Sequence, residues 1–228
     1  MAVVLITGAN RGIGLELTRI YAAAGDTVLA CCRDVDGATA LGEVSGDVEI
    51  YALDVTSAES VARLADTLRG RPVDLLINNA GTLGPDYAQQ TATTMDFEGW
   101  STTFEVNSIG PVRVMHAILE NLKASDNPRV ASITSQMGAL ALDTTMAYAY
   151  CSSKAALNKY MKLAAIDLAD DGIKVCVIHP GWVQTDMGGA NADITPQASA
   201  AGIVETIKQL NAKTSGSFWK WDGEAHAW

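Results

Sequence analysis

The chain has 228 residues, 48 % of them hydrophobic, and a formal net charge of −10. That length buries one sizeable core and is short for two independent domains. The negative charge repels phosphate backbones and anionic lipids, which argues against nucleic-acid binding and against a membrane-surface role.

The opening Met1-Ala-Val-Val-Leu-Ile-Thr-Gly8 has no basic leader, and its apolar run is too short for a signal peptide or membrane span. A cytoplasmic protein is expected. Short β-branched or aliphatic runs predict strands over residues 3–7, 27–32, 48–53, 73–78, 129–134 and 173–179. Stretches with helical periodicity separate them, at 12–24, 57–69, 97–123 and 146–170, with a later helix after Thr195-Pro196. This alternation predicts an α/β chain: βαβ units in one doubly wound, Rossmann-type domain spanning 1–228, its parallel sheet of about seven strands covered by helices on both faces. The four cysteines, Cys31, Cys32, Cys151 and Cys176, show no CxxC pair or zinc-ligand spacing, and His116, His179 and His226 are scattered. Reduced thiols, structural histidines and no metal site are expected.

Thr7-Gly8-Ala9-Asn10-Arg11-Gly12-Ile13-Gly14 follows the first strand and opens the first helix, the context of a phosphate-binding glycine turn. Gly8 permits the tight turn, Gly12 lets the backbone approach a pyrophosphate, and Gly14 allows the helix to pack on the strand. The second strand ends in Cys31-Cys32-Arg33-Asp34. With Cys32 where an acidic residue would bind a ribose 2′-hydroxyl, Arg33 is free to pair with a 2′-phosphate, assisted by Arg11. NADP(H) is therefore favoured, while Asp34 keeps NAD(H) open should the register slip.

Within the helix predicted over 146–170, Tyr150 and Lys154 are i and i+4 neighbours, about 5 to 6 Å apart at Cβ. An ammonium there would stabilise the phenolate of a tyrosine whose ordinary pKa is about 10 and fit it for proton exchange with an alcohol or carbonyl oxygen. Tyr148 lies on another helical face and is expected to pack. Ser135 follows the fifth strand at the carboxyl edge, where open α/β sheets bind ligands, and its hydroxyl could donate to a reacting carbonyl.

In this order, the glycine turn, Ser135 and the Tyr150/Lys154 pair resemble the short-chain dehydrogenase/reductase family over nearly the whole chain. Asn78-Asn79-Ala80-Gly81, Asn107, and Pro180-Gly181 followed by Val183 and Thr185 add to the match. The resemblance implies that Asp54 and Val55 approach the adenine and that Asn78, Ala80 and Gly81 line the adenosine side. Val183 and Thr185 would hold the carboxamide, Asn107 would hold a water joined to Lys154, and Lys154 would also bind the nicotinamide ribose. It further places Asn10, Ile13, Pro180 and Gly181 along the cofactor. The Arg11-bearing turn, the short segment after Gly181 and the ending Gly216-Ser217-Phe218-Trp219-Lys220-Trp221-Asp222-Gly223 are similar to the sniffer and C-factor type of carbonyl reductase. Residues 182–195 would be the substrate loop, with Gly188-Gly189-Ala190 as a lid hinge or an ordinary solvated turn.

By the same resemblance the chain would reduce small aldehydes or ketones, reversibly, as a homodimer or homotetramer. An NAD-dependent alcohol dehydrogenase and a C-factor-like cofactor-binding signalling protein are the competing expectations. Trp219, Trp221 and Trp228 read as core or interface packing, with substrate contact as the rival.

Overall fold

The computed structural model describes residues 1–228. Seven parallel strands run β1 Val3–Thr7, β2 Thr27–Cys32, β3 Val48–Ala52, β4 Leu75–Asn78, β5 Arg129–Ile133, β6 Lys174–His179 and β7 Ser217–Lys220, in the order β3-β2-β1-β4-β5-β6-β7. The helices are α1 Gly12–Ala23, α2 Thr39–Gly42, α3 Ala58–Thr67, α4 Phe97–Phe104, α5 Gly110–Ala117, α6 Leu119–Lys123, α7 Tyr148–Asp167 and α8 Pro196–Lys208. The order turns back between β1 and β4, and the carboxyl ends of those two strands therefore open a crevice.

Successive side chains of a strand face opposite sides, which divides the core in two. Val4, Ile6, Val28, Ala30 and Cys32 join α1 and α8 on one face, while Leu5, Leu29 and Cys31 join α3, α5, α6 and α7 on the other. Each face buries 24 residues, so neither side of the sheet meets water. No helix is long and apolar enough to cross a membrane.

The one helix expected over 97–123 is three helices joined by a π turn, Glu105–Ile109. Pro111 has no N–H to offer the carbonyl of Asn107 four residues earlier, so the α ladder cannot run through this point. Instead the Gly110 N–H donates to Glu105 five residues back. A second break follows at Ile118, whose backbone leaves the helical region. The helix expected from residue 146 begins at Tyr148, because Ala147 adopts a left-handed conformation (φ 52°). Trp219 lies in β7 within the α1/α8 core, Trp221 packs beside it from the following turn, and Trp228 covers Phe218 on the opposite face, its ring 4.5 Å from Lys162 Nζ. All three tryptophans are packing residues. Cys31, Cys32 and Cys176 are buried free thiols, and Cys151 is half-buried.

Candidate active site

The glycine turn lies at the crevice end of β1. Gly8 and Gly12 both have positive φ (65° and 53°), and a Cβ on Gly14 would stand 2.2 Å from the Gly8 carbonyl oxygen. Asn79 braces this turn by donating from Nδ2 to the carbonyls of Thr7 and Gly8, 3.0 Å each, while the backbone N–H groups of Asn79 and Ala80 donate to the Thr7 hydroxyl. The N-cap of α1, Arg11, makes no side-chain cap bond, and no acidic residue occupies the first turn. The free N–H groups and the positive end of α1 are thus available to an anion, and the turn fits a pyrophosphate.

At the neighbouring strand end, Cys32 closes β2, and burial raises its thiol pKa. Arg33 follows, exposed and close enough to Asp54 to help hold its carboxyl low, behind the larger effect of the Thr56 hydrogen bonds. Asp34 is occupied elsewhere, accepting the Gly37 N–H at 3.0 Å. Arg11, expected to assist Arg33, instead pairs with Asp186 across the crevice (Nη1 to Oδ2 2.5 Å). Asp54 caps its own turn by accepting from the Thr56 N–H and hydroxyl. Val55 is buried, its carbonyl accepting from Arg113 Nη1 at 2.6 Å.

Asn78, expected along the adenosine side, points into the sheet, 2 % exposed, with Nδ2 donating to Ser132 on β5 and Oδ1 without a partner. Its side chain shares one face of the sheet with Ser132, its register partner on β5, while Asn79, one position on, reaches the glycine turn. Asn10 and Ile13 are partly buried in the turn. Across from them, Thr185 brings its methyl to 3.2 Å from the position of a Cβ on Gly12. Val183 is buried and bridges to Ile194, closing the base of the loop over 182–195, and Ser199 donates to the Pro180 carbonyl at 2.6 Å. Gly181, with φ 87°, starts this loop. Gly188 and Gly189 are folded into a turn on Thr185, which accepts from both N–H groups.

Ser135, Tyr150 and Lys154 meet beyond the end of β5. All three are buried, and Lys154 Nζ lies 5.8 Å from the centre of the Tyr150 ring while donating to the Ile133 carbonyl at 2.9 Å. Burial pushes the Tyr150 phenol up to about 12, opposed by the adjacent Ser135 hydroxyl. Burial also lowers the Lys154 ammonium to about 8. The expectation that Lys154 lowers the Tyr150 pKa is corrected: burial sets the upward shift of the phenol, and Lys154 is not among the groups that move it. Tyr150 is consequently a protonated phenol at neutral pH.

The π turn aims two side chains at the Tyr150/Lys154 segment. Asn107 Nδ2 donates to the Ser153 hydroxyl (3.0 Å) and the Thr82 carbonyl (2.8 Å), its Oδ1 accepts from Thr82 N–H, and Ser108 donates to the Ser153 carbonyl. A Cβ placed on Gly81 would stand 3.3 Å from Asn107 Oδ1 and 3.6 Å from Lys154 Nζ, so both groups face the same small space. Tyr148 begins α7 half-buried, its carbonyl accepting from Ser152, and serves as helix frame.

Two residues absent from the sequence reading hold this cluster together. Asn158, one turn beyond Lys154, is 3 % exposed. Its Oδ1 accepts from the Thr134 hydroxyl (2.6 Å), and its Nδ2 donates to the Gly138 carbonyl (3.2 Å), which fastens both sides of Ser135 to α7. The close fit requires Gly138, whose Cβ would lie 2.8 Å from the Lys154 backbone. At the other end, α7 has no side-chain cap of its own, and Gln90 supplies one from 59 residues upstream, its Oε1 accepting the Ala149 N–H at 3.0 Å. Gln90 is fully buried, and its amide also donates to the Pro85 carbonyl.

The short chain dehydrogenase family profile matches residues 2–196. Among curated relatives, C-signal of Myxococcus xanthus is 42 % identical over 158 residues, which are 69 % of this chain and 93 % of that protein. An NADPH-bound carbonyl reductase from chicken fatty liver superposes over the whole of both chains with a TM-score of 0.91 and 32 % identity. The carbonyl reductase Sniffer of D. melanogaster does so with the same TM-score and 28 % identity.

Proposed function

Because the chain belongs to the short chain dehydrogenase family, we propose that it is an NADPH-dependent carbonyl reductase converting small aldehydes or ketones to alcohols. The observation that carries this reading is the buried Ser135, Tyr150 and Lys154 cluster, held rigidly beside a crevice whose glycine turn and uncapped helix suit a pyrophosphate. A bound nicotinamide would supply the hydride.

In this proposal Ser135 donates its hydroxyl to the carbonyl oxygen and holds it against Tyr150. The Tyr150 phenol gives its proton to that oxygen as negative charge develops there, completing the alcohol. Lys154, charged below about pH 8, stabilises the phenolate that remains and would hold the nicotinamide ribose. Asn107 keeps Ser153, and through it the backbone between Tyr150 and Lys154, in place.

The NADP(H) preference rests on Arg33, exposed just beyond the neutral Cys32, with Asp34 turned to Gly37. Arg11 joins it only by leaving Asp186. The substrate loop over 182–195 stays part of the proposal, as does a cytoplasmic setting. So does a homodimer or homotetramer formed through the outer helical face, where Ile109, Leu163 and Ile166 are exposed.

The test is nicotinamide absorbance during turnover of aromatic aldehydes, activated ketones and diketones, with NADPH and NADH in parallel. NADPH-dependent turnover that Tyr150→Phe abolishes, with NADPH affinity retained, is the expected result. Turnover surviving in Tyr150→Phe rejects the proton-donor role, and an NADH preference rejects the part given to Arg33.

A further inference from the structure

Two loops flank the Ser135/Tyr150 site, and a third lies against the glycine turn. Residues 82–96 are tied to the start of α7 by Gln90, and Tyr87 in this loop lies near enough to Tyr150 to affect its ionisation. Residues 139–147 run from the Ser135 turn into α7, and the Met146 carbonyl accepts from Cys151 next to Tyr150. Residues 182–195 lean on the glycine turn through Thr185 and Asp186.

These loops are 38 of the 228 residues, yet they carry six of the twelve exposed large hydrophobic side chains: Tyr87, Leu140, Leu142, Met146, Trp182 and Met187. Apolar groups concentrated around a polar catalytic centre mark a surface that a ligand covers. Trp182 is held in place for this, its Nε1 donating to the Gly188 carbonyl at 2.9 Å.

The charges on the same loops have one sign. They hold five aspartates, at 86, 96, 143, 186 and 193, and no lysine or arginine. Asp96 caps α4 and Asp186 is paired with Arg11, which leaves Asp86, Asp143 and Asp193 exposed without a cation. Lys154 is buried behind them, donating to Ile133.

Resting on the carbonyl reductase reading, we propose that the mouth of the site turns away carbonyl compounds bearing a carboxylate in favour of their uncharged counterparts. An anion entering here sheds water against apolar side chains and passes loops that carry five aspartates and no cation, on a chain of net charge −10.

A matched pair isolates the charge: 3-(4-formylphenyl)propanoate and its methyl ester, in which two methylenes insulate the aldehyde from the difference. With NADPH and the intact protein, kcat/KM for the ester is expected to exceed that for the carboxylate at least threefold. The gap should narrow in 1 M NaCl, where the screening length falls to about 3 Å. Trp182→Ala should raise KM for the ester several-fold while leaving the Kd for NADPH unchanged. Equal kcat/KM for the pair, or preference for the carboxylate, overturns the inference. A calorimetric arm uses unreactive 3-phenylpropanoate and its methyl ester on the NADPH-loaded protein. Tighter binding of the ester sustains the inference even without turnover, and equal affinity overturns it; failure to reduce any aldehyde overturns the reductase reading alone.

Discussion

Replacing Asn158 with leucine keeps the branched heavy-atom skeleton and removes both of the Asn158 bonds that flank Ser135. The Thr134 hydroxyl, 1 % exposed, and the buried Gly138 carbonyl then have no partner. At about 1 to 3 kcal/mol for each orphaned buried group, the loss is about 3 kcal/mol. For a chain of this size that lowers Tm by about 6 to 12 °C. Catalysis should suffer more than binding. Ser135 sits between the two released contacts, and a displacement of about 1 Å costs on the order of a hundredfold in rate. The assay is thermal unfolding followed by steady-state reduction well below the new Tm. A fall in kcat of about ten- to a hundredfold is expected, with KM for NADPH unchanged within about twofold. Thr134→Val, which deletes the stranded hydroxyl, should return part of the stability in the double variant, with a coupling of about 0.5 to 3 kcal/mol. An Asn158→Leu protein that melts and turns over like the parent would falsify the idea that this side chain sets the position of Ser135.

Gly14→Ala forces a methyl to 2.2 Å from the Gly8 carbonyl and 2.6 Å from Asn79 Nδ2. Affinity for NADPH by fluorescence titration should fall more than tenfold while the circular dichroism spectrum stays α/β; unchanged affinity would refute the cradle. Lys154 is lowered from 10.5 to about 8, so the unfolded chain binds more protons than the folded one between those values, and this group makes stability rise with pH across that window. Tyr150, raised from 10.0 to about 12, acts in the opposite sense between those two values. Tm measured against pH should therefore gain from about 8 to 10 in the parent, and Lys154→Met should lack that gain. In the same range kcat/KM for NADPH should decline as the ammonium proposed to hold the ribose loses its charge; a flat profile to pH 10 contradicts the depressed pKa.

The strands were the most legible part of the chain, and for a physical reason. A fully buried parallel strand must be apolar on both faces, so β1 and β2 appear in the sequence with the same limits as in the structure. Segment 97–123 was read as one helix because its apolar spacing continues through residues 105–110, while the π turn depends on a missing N–H at Pro111 that periodicity does not register. Ser135, Tyr150 and Lys154 were accessible because spacing within one helix and position after one strand define them. Asn158 left a trace of the same kind, standing on the Tyr150 and Lys154 face at the next i+4 position. Gln90 left none: its role exists only once residues 59 apart in sequence are neighbours. Asn79 and Asn78 are adjacent and identical, and only the alternation of a strand end decides which one holds the glycine turn.

That borrowed cap on α7 also bears on the order in which the molecule assembles. The body of α7 packs on the sheet through Leu157, Met161 and Ala165, contacts that need only the core. Its first turn, which carries Tyr150, has no local residue to finish it and must wait until the segment around Gln90 has settled against Pro85 and Ala149. During refolding the helical signal should accordingly recover before catalytic competence, and the interval between the two would time the arrival of a loop rather than the formation of a helix.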